Sequence, residues 1–518
     1  MRPLLLLVLA ACTPTADPDG TDTTSGTGDT ADTAPASARW PACDPTATTQ
    51  TLSLVHLNDM HGSYNADPAV PGESVVSRAV GWMRQVQREN PYTLWTNGGD
   101  DFEKGSIIED LSEGRATTEL VQAMQFDVRA IGNHDFSFGE EVSVAHTQDD
   151  RAVVLASNAT YVGSDPDAWK AVDRVVLEIG CLRVGLFSLN TPPWITKGHC
   201  TPGSDGPCHY LPGVVEHDYD FTTRAQALVD ALSEEADVVV SLNHLGGSGD
   251  KAIAGQIQGI DVALGSHSHE FTALPQRVDQ TYVVQAGSNN RYVLRLDLEV
   301  DLETREIVGA DFVPIANQPD NGLEVADDVE AAAAEIFTRW APELWRPVAC
   351  TSTVLPKEAT AALYAHVARV QGEADAALIQ TGWLRQGLPG GPTNVQDYFD
   401  LVPVEREPPG SPAITSLHRV TMTGAHLKAA IAADEADHTY EGPEASALVD
   451  DQDYAVVVHK RQAELPLLFM PGRPVVEVKT SEKVGETWAA FLAYAQAREA
   501  ACLHLDADTP RPGCTPKG

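Results

Sequence analysis

Five short polar segments, each directly behind an apolar, strand-like run, constrain this chain more than any other feature. They are Asn58-Asp59-Met60-His61-Gly62, Gly98-Gly99-Asp100-Asp101, Gly132-Asn133-His134-Asp135, Asn243-His244-Leu245-Gly246 and Gly265-Ser266-His267-Ser268-His269. Each carries His, Asp or Asn, the donors that hold divalent cations in mixed nitrogen and oxygen sites. A D-x-H carried on a strand puts Asp59 and His61 on one face, and His267 and His269 share that spacing. Read alone, each segment is weak, because an Asp behind Gly is ordinarily a turn residue or helix cap. Together they demand a fold that gathers many strand ends in one place. Layered α/β folds do this at the carboxyl ends of their strands.

The pattern around the segments agrees. Leu52 to Leu57, Tyr92 to Thr96, Val128 to Ile131, 152–156, 182–189, 237–242, 261–264, 281–286 and 292–300 read as strands. Helical periodicity at 74–89, 117–124, 222–235 and 250–257 alternates with them, which predicts an α/β layered domain. A breaker cluster at Gln318-Pro319-Asp320-Asn321-Gly322 precedes one long helix over 325–346. A second α/β region follows, with strands at 377–380, 418–422 and 454–459 and helices at 358–371, 424–433 and 484–499. A chain of 518 residues is too long for one core, so two domains are expected, 46–318 and 350–518, joined by a linker helix within 319–349.

The order D-x-H, G-D, G-N-H-D, N-H-x-G and G-x-H-x-H resembles the calcineurin-like metallophosphoesterases. More narrowly it is similar to the bacterial 5′-nucleotidase and UDP-sugar hydrolase family. The stretch Gly99-Asp100-Asp101-Phe102-Glu103-Lys104-Gly105-Ser106 matches that family's G-D followed by G-S. The resemblance implies a layered β-sandwich flanked by helices and a smaller C-terminal α/β domain. It implies two divalent ions, zinc, manganese or similar. Asp59, His61 and His269 would hold one, Asn133, His244 and His267 the other, and Asp100 would bridge them. His134 would contact the phosphate and stabilise the leaving oxygen. Paired ions activate water themselves, so no Ser or Cys nucleophile is needed. The family places an Asp three residues behind the catalytic His, as its partner. Here Ser137 stands there, so His134 either has a lowered pKa or finds another acid; weaker or pH-shifted activity is expected, with Ser137→Asp raising the rate.

In the second domain Gln380-Thr381-Gly382-Trp383-Leu384-Arg385 resembles the family's substrate-binding Arg turn, with Arg385 in the matching place. The family's P-F-G-N becomes Pro403-Val404-Glu405-Arg406, so one stacking aromatic is missing, and Trp383 is a candidate replacement. The bond cleaved is therefore better specified than the substrate. The readings are a nucleotide phosphomonoesterase, a cyclic-nucleotide or sugar-nucleotide phosphodiesterase or other phosphatase, and a non-catalytic surface lipoprotein.

Net charge bears on both site and partners. At −39, the surface repels a nucleic-acid duplex, and a phosphate site needs local positive charge that bound metal can supply. Arg2, the apolar run Leu4 to Ala11 and Leu9-Ala10-Ala11-Cys12 read as a signal with a lipobox, Cys12 being the lipidated residue. Residues 13–45, rich in Thr, Asp and Gly, read as a disordered tether. No later stretch is long and apolar enough for a transmembrane helix. These features place the chain in a bacterial cell envelope, lipid-anchored, where disulfides are permitted. Cys200 with Cys208 and Cys502 with Cys514 read as local staples, Cys43 with Cys350 as a long-range pair, and Cys181 as a buried thiol.

Overall fold

The structure, a computed structural model, describes residues 39–64, 74–103, 105–191, 194–195, 208–209, 213–402, 416–433, 438–464 and 478–511. The lipobox and the tether up to residue 38 lie outside these residues, as do Val404 and Cys200.

Two six-stranded sheets form the first layer pair. One runs in the order Ile307–Ala316, Tyr292–Asp301, Thr49–Leu57, Thr93–Asn97, Val128–Ala130, Val153–Leu155. Its last four strands are parallel, and its first two pair antiparallel. The other runs Gln276–Val278, Thr281–Gln285, Val262–Gly265, Val238–Leu242, Leu182–Phe187, Arg174–Ile179, with a parallel centre. Leu52, Leu54, Leu94 and Val128 of the first sheet meet Val184, Val240, Val262 and Leu264 of the second in one buried cluster. The opposite faces of these strands are covered by helices, which explains near-continuous apolar runs in place of strict alternation. Helices Val75–Glu89, Arg115–Met124 and Asp327–Trp340 cover the first sheet, and Phe221–Ser233 packs with Gly247–Gln256 against the second.

The helix expected as a linker is therefore part of the first domain. Val329, Ala333 and Ile336 bury against Val76, Val80 and Val121, and Glu330 caps the helix that starts at Val75 through Ser74 and Ser77. An apolar stripe on one face of the helix supplies the reason, since a stripe must find cover.

The second domain is a five-stranded sheet ordered His438–Glu441, Ala376–Gln380, Asp453–His459, Ser416–Thr423, Thr480–Glu486. Helices Lys357–Gln371 and Thr487–Ala500 pack on one face through Tyr364, Val367 and Phe491, and Gly424–Ala433 on the other through Leu427 and Ala430. The strand Thr480–Glu486 is not readable from sequence, because Thr-Ser-Glu-Lys is polar throughout and lies at a sheet edge.

The domains meet where the short helix Val395–Phe399 approaches Ile107–Ser112. Gln396 Oε1 accepts from the Ser106 hydroxyl (3.3 Å) and the Ile107 amide (3.2 Å), and Gln396 Nε2 donates to Asp400 Oδ1 at 2.6 Å. Burial pushes Asp400 up to about 7. The folded chain thus keeps a proton that the unfolded chain releases near pH 4, so stability falls as pH rises from about 4 through 7. Asp400→Asn is expected to raise unfolding free energy by about 2 kcal/mol at pH 8 and to change little near pH 4. Denaturant titrations at both pH values check this.

Residues 39–45, expected as the end of the tether, are packed on the first domain. Trp40 is buried and donates from Nε1 to the Thr93 carbonyl (2.8 Å), and Arg39 pairs with Asp127. Cys43 is bonded to Cys181, which corrects both the pairing with Cys350 and the free thiol at 181; Cys350 is free. Cys502 is disulfide-bonded, and Cys514 lies outside the described residues. Because 138 residues separate Cys43 from Cys181, the C43A/C181A variant is expected to lose about 3–5 kcal/mol, read as a lower calorimetric midpoint.

Candidate metal centre

All five segments follow the carboxyl ends of parallel strands, two or three from each sheet, and converge at one edge of the sandwich. The strands stop just short of the donors. Asp59, His61, Asp100, His267 and His269 lie beyond the strand ends with φ of 50°, 47°, 57°, 75° and 59°. The expectation of a D-x-H on a strand is thereby corrected. A left-handed residue at alternate positions folds the backbone around a point, and such non-glycine strain persists only where surrounding contacts impose it. Those contacts are present: Asp59 N donates to Gly99 O (2.9 Å), His61 N to Asp100 O (2.9 Å) and Asn289 N to Asp59 O (2.8 Å).

Two donor clusters result. Asp59, His61 and His269 form one, with Asp59 Oδ1 3.8 Å from His61 Nε2 and 3.4 Å from His269 Nε2. Asp100, His244 and His267 form the other, with Asp100 Oδ2 3.1 Å from His244 Nε2. The same Oδ2 lies 3.8 Å from His61 Nε2, so Asp100 faces both clusters. His61 and His244 hydrogen-bond from Nδ1 to the carbonyls of Phe102 (3.0 Å) and Gly98 (2.9 Å), which leaves Nε2 for a cation.

Whether these residues fit metal is tested by their unsatisfied atoms. Asp59 Oδ1, Asn133 Oδ1 and His267 Nδ1 are all buried without a hydrogen-bond partner among the described residues. Each such atom costs about 1–3 kcal/mol if left so. Three of them at one centre, together with His61 and His269 nitrogens 2.9 Å apart and His244 Nε2 facing Asp100, make a donor set that cations would satisfy. When bound, the ions would supply Lewis acidity and the charge that the acidic surface lacks.

A third cluster, Asp101, Asp135 and His146, is fully buried beneath the loop. It already holds its own cation: Arg129 lies 3.7 Å from Asp101 and 3.4 Å from Asp149, and His146 Nε2 is 3.0 Å from Asp101. Asp135 accepts the amides of Asp100 (3.0 Å), Asp101 (2.8 Å) and Gly132 (2.7 Å), clamping the loop that presents Asp100.

Glycine is required in that clamp. A Cβ on Gly132 would sit 2.1 Å from Asp100 Oδ1 and 2.4 Å from Asp100 N. Gly132→Ala is therefore expected to displace the carboxylate facing both clusters and to cut metal occupancy at least tenfold, measured by elemental analysis, while the circular dichroism spectrum stays native. A tenfold weaker affinity corresponds to about 1.4 kcal/mol of binding free energy.

His134 stands beside the clusters, its ring centroid 5.0 Å from that of His61 and its amide donating to Asp100 Oδ1 at 2.8 Å. Its Nδ1 is hydrogen-bonded to the Glu103 carboxylate. Sequence reasoning misses Glu103, although it lies three residues behind Asp100 in a quoted motif. Ser137 is buried with its hydroxyl unpartnered among the described residues, so the carboxylate beside His134 comes from Glu103 and not from position 137. The expected loss of activity through Ser137 loses its basis.

Arg385 makes no hydrogen bond or ion pair to these clusters among the described residues. It is exposed, without a side-chain ion pair among the described residues, and its amide donates to the Leu401 carbonyl (2.9 Å). Trp383 is half-buried and packs edge-on against His459 at 4.7 Å.

Known proteins share this architecture. The calcineurin-like phosphoesterase family profile matches residues 52–271. The uncharacterized metallophosphoesterase YunD of Bacillus subtilis is 21% identical over 401 residues, covering 73% of this chain and 77% of YunD. Bovine 5′-nucleotidase is 26% identical over 251 residues, 45% of this chain and 40% of the bovine protein. The chain thus spans less than half the length of that curated nucleotidase. Among solved structures, a 5′-nucleotidase precursor from Thermus thermophilus superposes with a TM-score of 0.61 at 19% identity, covering 86% of this chain and 96% of its own. Residues 52–271 form a calcineurin-like metallophosphoesterase domain, in a chain whose fold over most of its length is that of the 5′-nucleotidase structures. With its donor set for two divalent cations, the chain is a metal-dependent phosphoester hydrolase.

Proposed function

We propose that this hydrolase is an exported, lipid-anchored phosphomonoesterase that releases phosphate from extracytoplasmic nucleotides, in the manner of a 5′-nucleotidase. The observation that carries the chemistry is the carboxylate of Asp100 facing two His- and Asp-containing clusters, with His134 alongside. Asp59, His61 and His269 would hold one ion, and Asn133, His244 and His267 the other, with Asp100 shared. His134 would meet a phosphate oxygen, and Arg385, whose charge is not spent on a neighbouring acid among the described residues, would reach the substrate from the second domain. Relatives that carry nucleotidase names support the choice of substrate, as does the Tabanus yao apyrase, 23% identical over 275 residues. The disulfides at Cys43–Cys181 and at Cys502 support export, because such bonds persist in oxidising compartments. Lipidation at Cys12 and a periplasmic or outer-surface location follow from the lipobox. Incorporation of labelled palmitate that Cys12→Ala abolishes tests them.

The second reading is a phosphodiesterase acting on cyclic or sugar nucleotides, favoured by Val404 in place of a stacking aromatic. The full chain, purified in detergent, stripped of metal and reloaded with zinc or manganese, is to be assayed on AMP, UDP-glucose, cyclic AMP and an aryl phosphate. AMP is expected to be the best substrate. Preference for either diester would replace the first reading with the second. No turnover with two bound ions would make the chain a binding protein.

A further inference from the structure

We propose that Glu103 is the positioning residue for His134, holding its ring from a loop position that the family pattern does not use for this task. The inference rests on the phosphoesterase reading above. The Glu103 carboxylate accepts from His134 Nδ1, with side chains 1% and 12% exposed. Glu103 itself has a φ of 72°, a left-handed conformation that is costly for a residue with a Cβ. The backbone bears that cost beside the donor set, on the loop that carries Asp100. His134 is thus fixed at two points of one loop, its amide on Asp100 Oδ1 at 2.8 Å and its ring on Glu103.

The orientation has a chemical consequence. A carboxylate on Nδ1 keeps the proton there and presents Nε2 to a phosphate oxygen. Ser137 is excluded from this task, since its buried hydroxyl has no partner among the described residues. The side chain at 137 therefore contributes volume, and the acid arrives from the loop that carries Asp100.

Glu103→Gln keeps the size and removes the charge; Glu103→Asp keeps the charge and guards against a folding defect. Glu103→Gln is expected to lower kcat on the best phosphoester by roughly 10²-fold, the scale of a general acid–base contribution, with KM within about twofold. Metal content, by elemental analysis, is expected to stay at two ions, and Glu103→Asp to recover at least a tenth of the lost rate. A readout independent of turnover is the nitrogen-15 spectrum of His134 in the metal-loaded chain. The proton is expected on Nδ1 in the wild type and in Glu103→Asp, and no longer confined there in Glu103→Gln. Should the wild type hydrolyse none of the esters, the functional reading fails while the spectrum still decides this one. An unchanged kcat or an unchanged His134 tautomer in Glu103→Gln would overturn the proposal. So would metal loss in proportion to activity, because Glu103 would then support the donor set and not His134.

Discussion

Asp100→Ala is expected to reduce phosphoester hydrolysis by on the order of 10⁴-fold, the scale seen when one member of a centre that acts as a unit is removed. The reason is geometric. Asp100 Oδ2 lies 3.1 Å from His244 and 3.8 Å from His61, so one carboxylate serves both clusters. Its Oδ1 takes the amide of His134 at 2.8 Å, which ties the third part of the site to the same side chain. The variant leaves buried imidazoles facing one another with only Asp59 to offset cations. Metal content should fall below two ions per chain even in excess zinc, measured by elemental analysis after desalting. Asp100→Asn separates charge from shape: it keeps an oxygen for the His134 amide, and is expected to fail nearly as badly because the anion is what draws two cations together. Wild-type turnover or two retained ions in Asp100→Ala would exclude a shared carboxylate.

How much of this is legible in the sequence differs between the parts. The parallel strands of the sandwich are readable, because strands buried on both faces leave uninterrupted runs such as Leu52 to Leu57 and Val238 to Leu242. Edge strands are not: Ile307–Ala316 alternates weakly and Thr480–Glu486 is polar, since half or more of their surface faces water. The donors are legible because five polar, glycine-flanked segments behind five apolar runs point to one shared site more strongly than to scattered turns. Their backbone is not legible, because a left-handed Asp or His leaves no compositional mark. The family resemblance places the partner of His134 at position 137, whereas the fold supplies it from elsewhere. Glu103 and His134 are 31 residues apart, and they meet where Asp135 clamps the Asp100 loop and the His134 amide bonds Asp100 Oδ1. Long-range disulfide pairing is hidden for a similar reason. Cys43 and Cys181 meet because Gln50 of the first sheet bridges to the turn after Ile179 in the second, its Nε2 donating to the Ile179 carbonyl and its Oε1 accepting the Cys181 amide, each at 2.7 Å.

Removing the ions is expected to abolish turnover reversibly, and the way they return should depend on pH with a definite slope. Burial alone would push the His244 imidazole down, but the Asp100 carboxylate 3.1 Å away, joined by Asp59, outweighs it and lifts His244 to about 10. In the metal-free chain the ring is therefore charged throughout pH 7 to 9. A cation cannot share Nε2 with a proton, so binding at the Asp100, His244 and His267 cluster must release one. His267 behaves oppositely: burial, then the charge on His244, hold it down to about 4, so it is already neutral in this range and adds no slope. Apparent affinity for zinc at this cluster should thus rise about tenfold for each pH unit from 7 to 9. Competition against a chromophoric chelator gives the slope, and calorimetry in two buffers of different ionisation enthalpy counts the proton. A slope near two would mean that His267 is also charged without metal. A flat profile would mean that Asp100 and His244 do not form an ion pair in the metal-free chain.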